Sequence, residues 1–264
     1  MTVGGVAHVV GAGDGMNQIE LLVRRFENAR VPLRLAYAPF ARGVRSGEIV
    51  QMDVQRTPPP RIREEILLWP GAGAELFVSG IDADIRQLVL RVREPARRFV
   101  ERRWDREQKR MVEVERWTTP DPRRFLVGMD ESHLFVAQLT TRATTVADAH
   151  AGLRPKVLEQ RPEARRQGEW FFVPVTPGEL HVVQKAAKRF THRKVAIGSQ
   201  LAARGRPHVV DQLVRLQSRT AGERPLEFVR GKVRHPDHAT IELAEWMRVF
   251  MNTEDRAVGA TWVD

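Results

Sequence analysis

The stretch Leu226–Leu243, LEFVRGKVRHPDHATIEL, limits the fold more than any other part of the chain. Val229, Gly231 and Val233 alternate with Arg230, Lys232 and Arg234. After His-Pro-Asp the alternation resumes, with Ala239, Ile241 and Leu243 set against His238, Thr240 and Glu242. A period of two on both limbs, broken by turn-forming residues, is the pattern of a β-hairpin. A one-residue slip would move every side chain to the other face, so the pattern selects the register. A two-residue turn at Pro236–Asp237 would set Val233 against Thr240 and mix the faces. A three-residue loop, His235-Pro236-Asp237, sets Val233 against Ala239, Val229 against Leu243 and Arg230 against Glu242. One face then carries Arg230, Lys232, Arg234, His238 and Thr240, with Glu242 at its edge: a basic ribbon with a histidine at its tip.

Other segments fit a sheet-rich chain. Met16–Ala29 has Ile19, Leu22, Val23 and Phe26 at helical spacing. It follows the apolar run Val6–Val10 and the turn Gly11–Gly15. That order resembles a dinucleotide loop only loosely. Met16 takes the third glycine position, and no carboxylate follows at the expected distance. Val31–Phe40, Glu48–Gln55, Ile66–Trp69, Glu75–Gly80, Arg86–Arg93, Met111–Trp117, Arg124–Gly128 and His133–Leu139 read as extended. Pro58–Pro60 reads as a connector, and Pro70–Gly73 as a hairpin turn between the strands beside it. Asp82 and Asp84 fit a polar turn better than a metal site. Glu94–Asp105 is a short helix or a solvated link. Thr145 with Asp148 three residues later is a capping pattern for a helix. Gly168–Val175, GEWFFVPV, is greasy on both faces and reads as a buried central strand. His208–Leu216 reads as a short helix. The expected class is α+β, mainly antiparallel β-sheet with a few short helices. The expected division is residues 1–95, an N-terminal α/β region, and 96–264, a β-rich C-terminal domain; a single continuous unit is the alternative.

Charge directs the functional reading. The chain has 43 Lys and Arg against 33 Asp and Glu, a net +10. Such an excess attracts polyanions. Lys185, Lys188, Arg189, Arg193 and Lys194 form one basic group, and Arg230, Lys232 and Arg234 a second. Both are expected to contact phosphate backbones. The first expectation is a nucleic-acid-associated protein or a subunit of a nucleoprotein assembly, non-enzymatic and with no cofactor. The second is a phosphoesterase or hydrolase using His235 and His238, which with His208 or His192 could hold a metal. His238-Ala239-Thr240 is similar to the His-x-Thr element of two-histidine phosphoesterases. That family needs two such elements, and no other histidine here is followed two residues later by Ser or Thr. The third expectation is a scaffold subunit binding an acidic protein. The absence of cysteine excludes disulfides and thiol catalysis. No apolar run reaches the roughly 18 residues of a membrane span. The first residues show neither a basic nor a sustained apolar signal region, so a cytoplasmic location is expected.

Overall fold

A computed structural model describes residues 14–39, 50–57, 63–105, 108–198, 207–217 and 225–253. The run at 6–10, the prolines at 58–60 and the tail after 253 lie outside these residues.

Helix α1, Asp14–Asn28, turns Leu22 and Phe26 inward. They pack with strands β1 (Leu33–Leu35), β2 (Gln51–Arg56) and β3 (Glu64–Trp69), which form a sheet in the order β1-β3-β2. A second sheet, β4-β5-β8-β9, shares that core; its strands are Glu75–Asp82, Gln87–Arg93, Arg123–Asp130 and His133–Leu139. Leu88, Leu90 and Val92 face α1 and the first sheet, while Val89 and Leu126 face helix α2, Val146–Leu153. Thr145 caps α2 as its spacing predicts, its hydroxyl accepting from the Asp148 backbone N at 3.1 Å. The pairing of β5 with β8 joins strands from both sides of residue 95.

The C-terminal half forms a six-stranded antiparallel sheet in the order β10-β11-β15-β14-β13-β12. Its strands are Arg165–Gln167, Trp170–Pro174, His238–Met251, Leu226–His235, Val209–Leu216 and His192–Ala196 in that spatial order. Trp170, Phe171 and Phe172 are 8%, 5% and 0% exposed, so they are core, as the strand's two greasy faces predict. Helix α3, Pro177–Phe190, opens on a full capping box from Thr176 and Glu179. Its Val183 packs with Val214, Phe228 and Trp246 on one face of the sheet. Val210, Leu213, Val229, Val233 and Leu243 form the core on the sheet's other side. The fold is therefore mostly antiparallel sheet with three short α-helices among the described residues, and β1–β3 is its parallel pair.

Four local expectations need correction. Residues 94–105 are neither helix nor link: Arg97–Asp105 is strand β6, paired with β7, Arg110–Thr118. Its alternation is hidden because both faces are polar enough to read as solvated. Pro70–Gly73 is a sheet change and not a hairpin, because β3 pairs with β1 and β2 while β4 pairs with β5. The segment after His208 is a strand, since β-branched Val209, Val210 and Val214 suit a pleated ladder better than a helix. The β14–β15 hairpin has a two-residue turn, with His235 opposite His238. A register shift in β15 then sets Val233 against Ile241 and Lys232 against Glu242. A bulge, and not a three-residue loop, separates the two faces beyond the turn.

Candidate metal centre

Strand register builds the site. Val209 lies opposite Arg234, which sets His208 beside His235, and His235 lies opposite His238. Directly opposed residues share a face. Three histidines therefore come to one end of β13, β14 and β15 on one side of the sheet. Ring centroids are 4.2 Å apart for His208–His235, 5.0 Å for His235–His238 and 5.5 Å for His208–His238. One ligating nitrogen from each lies within 4.8 Å of the others. On a tetrahedral ion with bonds of about 2.0–2.1 Å, nitrogens sit roughly 3.4 Å apart, so the rings must draw together to close the set.

The surroundings favour ligation. His208 is buried, and among the described residues its Nε2 has no hydrogen-bond partner; neither has the buried Nδ1 of His238. Burial first, and then the charges of His235 and His238, push the His208 pKa down to about 3. Its ring is neutral in ordinary buffers, with a lone pair to offer. The Glu169 carboxylate lies 3.6 Å from His208 Nδ1, beyond hydrogen-bond length. Gly168, at φ +56°, comes so close that a Cβ there would lie 2.9 Å from His238 Nε2 and 3.1 Å from His208 Nε2. His235 is the exception: its Nδ1 accepts from the Asp237 backbone N at 3.2 Å.

The turn between the ligands docks on the N-terminal half. The Asp237 carboxylate lies 3.0 Å from Arg56 and 3.7 Å from His133. Arg56 and His133 also hold Glu64, at 2.6 and 2.8 Å. The Ala239 backbone N donates to Glu131. Burial pushes the Asp237 pKa up, but the hydrogen bond and charge of Arg56 outweigh it and hold the carboxyl below its ordinary value. For Glu64, burial is likewise outweighed by bonds from His133 and the Leu134 backbone N.

His235 is thus a buried strand residue and not an exposed loop residue, and His238 turns away from the arginine row. His192 lies exposed at the start of β12, opposite Leu213, so of the two proposed third ligands only His208 joins the pair. Asp82 Oδ1 accepts from the Asp84 and Ile85 backbone N atoms, a turn as expected. Lys185, Lys188 and Arg189 on α3 and Arg193 and Lys194 on β12 are exposed. Arg230 donates to Gln212 and lies over the Trp246 ring at 5.1 Å. Lys232 is exposed, and Arg234 pairs with Asp211 at 2.6 Å. Gly168, Glu169, Arg56 and Asp237 carried no local signal in the chain, because their roles arise from contacts between distant strands. No protein-family model matches the chain, and no curated protein or solved structure is detectably similar to it.

Proposed function

We propose that the protein holds one zinc-class divalent ion on His208, His235 and His238 and hydrolyses an anionic ester substrate. The convergence of three imidazoles, with the His208 and His238 nitrogens buried and unpartnered, carries the reading. An all-nitrogen set suits zinc and its neighbours better than calcium or magnesium, which favour oxygen. Three protein ligands leave a fourth position, the pattern of catalytic rather than closed structural sites, and His238 is only partly buried. An ion so held supplies Lewis-acid activation of water. The net +10 charge draws anionic substrates toward the protein.

The test is cobalt(II) titration of chelator-stripped protein, followed by zinc competition and turnover of a chromogenic phosphodiester. One equivalent should give visible tetrahedral absorbance, lost in H208A and H238A and kept in H192A. No absorbance and no retained zinc at equimolar metal would end the metal reading. A metal-loaded protein without turnover would end the hydrolytic part alone.

A second reading, association with nucleic acid, draws on one further observation. Arg193 lies opposite Gln212, and Gln212 opposite Arg230, so the two basic groups meet in one row across β12, β13 and β14. Retention on an oligonucleotide should fall steeply with salt. Retention that is absent at low salt, or indifferent to salt, counts against it.

A further inference from the structure

Among the described residues, strands β6 and β7 pair with each other and join neither neighbouring sheet. An isolated two-stranded ribbon is at best marginal in water. This one spans nine residue pairs, roughly 30 Å at the usual rise per residue. It nonetheless exposes Phe99, Val100, Trp104, Met111 and Trp117, the last at 69%. Single exposed apolar residues are ordinary; this many on one free hairpin mark a contact surface.

The register shows what the surface fits. Arg98 lies opposite Trp117, Val100 opposite Glu115, Arg102 opposite Glu113 and Trp104 opposite Met111, and all eight share one face. The β6 column of that face is cationic at Arg98 and Arg102. The β7 column is anionic at Glu113 and Glu115. Arg98 pairs with Glu115, and Arg102 with Glu113 at 2.8 Å, but all four remain more than half exposed. Acidic residues in mid-face repel a phosphate backbone, which argues against nucleic acid there.

We propose that this face binds the same face of a second copy of the chain. A two-fold axis running along the strands, between two ribbons laid face to face, sets the β6 column of each over the β7 column of the other. Arg102 then meets Glu113 of the second copy, and Arg98 meets its Trp117, a cation–π pair. Trp104 meets its Met111, a sulfur–aromatic pair. The symmetry supplies each contact twice. A two-fold axis across the strands instead sets Glu115 against Glu113 of the second copy twice, which like-charge repulsion disfavours. Eight residues a side is well below a standard interface, so the dimer is weak and concentration-dependent. The proposal is independent of the histidine site.

Sedimentation of the full chain over micromolar to submillimolar concentrations tests it. The wild type should move from monomer to dimer. R102E and E113R, each alone, place like charges across the interface and should weaken association about tenfold or more. An equimolar mixture of the two should regain wild-type association, because each new acid then faces a new base. Circular dichroism checks that both variants fold; should either fail, W117S serves as the weakened variant. A wild type that stays monomeric throughout overturns the proposal, as does a mixture no stronger than its components. Oligonucleotide retention that depends on Trp104 and Trp117 in a monomeric protein also overturns it, in favour of a nucleic-acid arm.

Discussion

Gly168→Ala tests whether the histidines are seated as described. Gly168 has φ +56°, a left-handed conformation that costs a residue with a Cβ about 1 kcal/mol relative to glycine. The added methyl would lie 2.9 Å from His238 Nε2 and 3.1 Å from His208 Cε1 and Nε2. His208 cannot retreat freely: it is 2% exposed and stacked on His235 at 4.2 Å. Overpacking of that kind adds about 1–2 kcal/mol, for a total of about 2–3 kcal/mol. Urea unfolding of the metal-free protein measures it. Gly178→Ala is the control: it lies in the first turn of α3 with nothing within 4 Å of its added Cβ, and stability should hold or rise slightly. The same Gly168→Ala protein should bind cobalt more weakly, since the methyl presses on the rings of two of the three ligands. A stability within about 0.5 kcal/mol of wild type refutes the seating argument. So does a large loss of stability with undiminished cobalt affinity.

Two further outcomes follow from the ionisable groups. The unfolded chain takes up a proton at His208 below about pH 6.5, whereas the folded metal-free protein resists until about 3, because burial and then the neighbouring imidazoles disfavour the cation. Stability therefore falls with pH through that window, by about 3 kcal/mol between pH 7 and pH 4. H208N should flatten that part of the urea-unfolding profile, and an unchanged slope contradicts the assignment. His150, lowered by burial first and the Arg166 charge second, acts in the same direction in both proteins. Arg56→Leu leaves the buried Asp237 and Glu64 carboxylates without their shared cation and should cost about 2–4 kcal/mol in a denaturant melt; a loss too small to measure would show that the clamp is unimportant.

Much of the local structure was legible from periodicity. Leu22 and Phe26 on α1, the Thr145 cap and the buried Trp170–Val173 run all have short-range causes, and all are found. Strand β13 is not legible because its burial depends on a partner remote in sequence, and the ribbon strand β6 is not because both its faces are solvated. Val210 is buried only because β14 lies beside it; alone, VVDQLVRL fits a helix as well as a strand. The histidine site fails for the same reason. Spacing shows His235 and His238, but nothing near His208 distinguishes it from His192 until the pairing of Val209 with Arg234 is known. The hairpin's alternation is readable beyond the bulge but its turn and the face of His238 are not, because alternation cannot tell a longer loop from a tight turn with a bulge.

The turn between the ligands also ties metal binding to the contact between the two halves. His235 Nδ1 accepts the Asp237 N–H, so the neutral ring carries its proton on Nε2. Ligation through Nε2 moves a proton to Nδ1, where it would face that donor. Ligation through Nδ1 displaces the donor directly. Either route breaks the contact and rotates the turn. The turn is not free to rotate, because Arg56 holds the Asp237 carboxylate and Glu131 holds the Ala239 N–H. Coupling of this kind is reciprocal: whatever holds the turn weakens the metal, and a bound ion loosens the hold. Arg56→Leu should therefore be less stable than wild type when stripped and yet bind cobalt more tightly, a pairing that general damage to the fold does not produce. Cobalt affinity that falls in step with stability would show that the clamp and the ligands act together instead of in opposition.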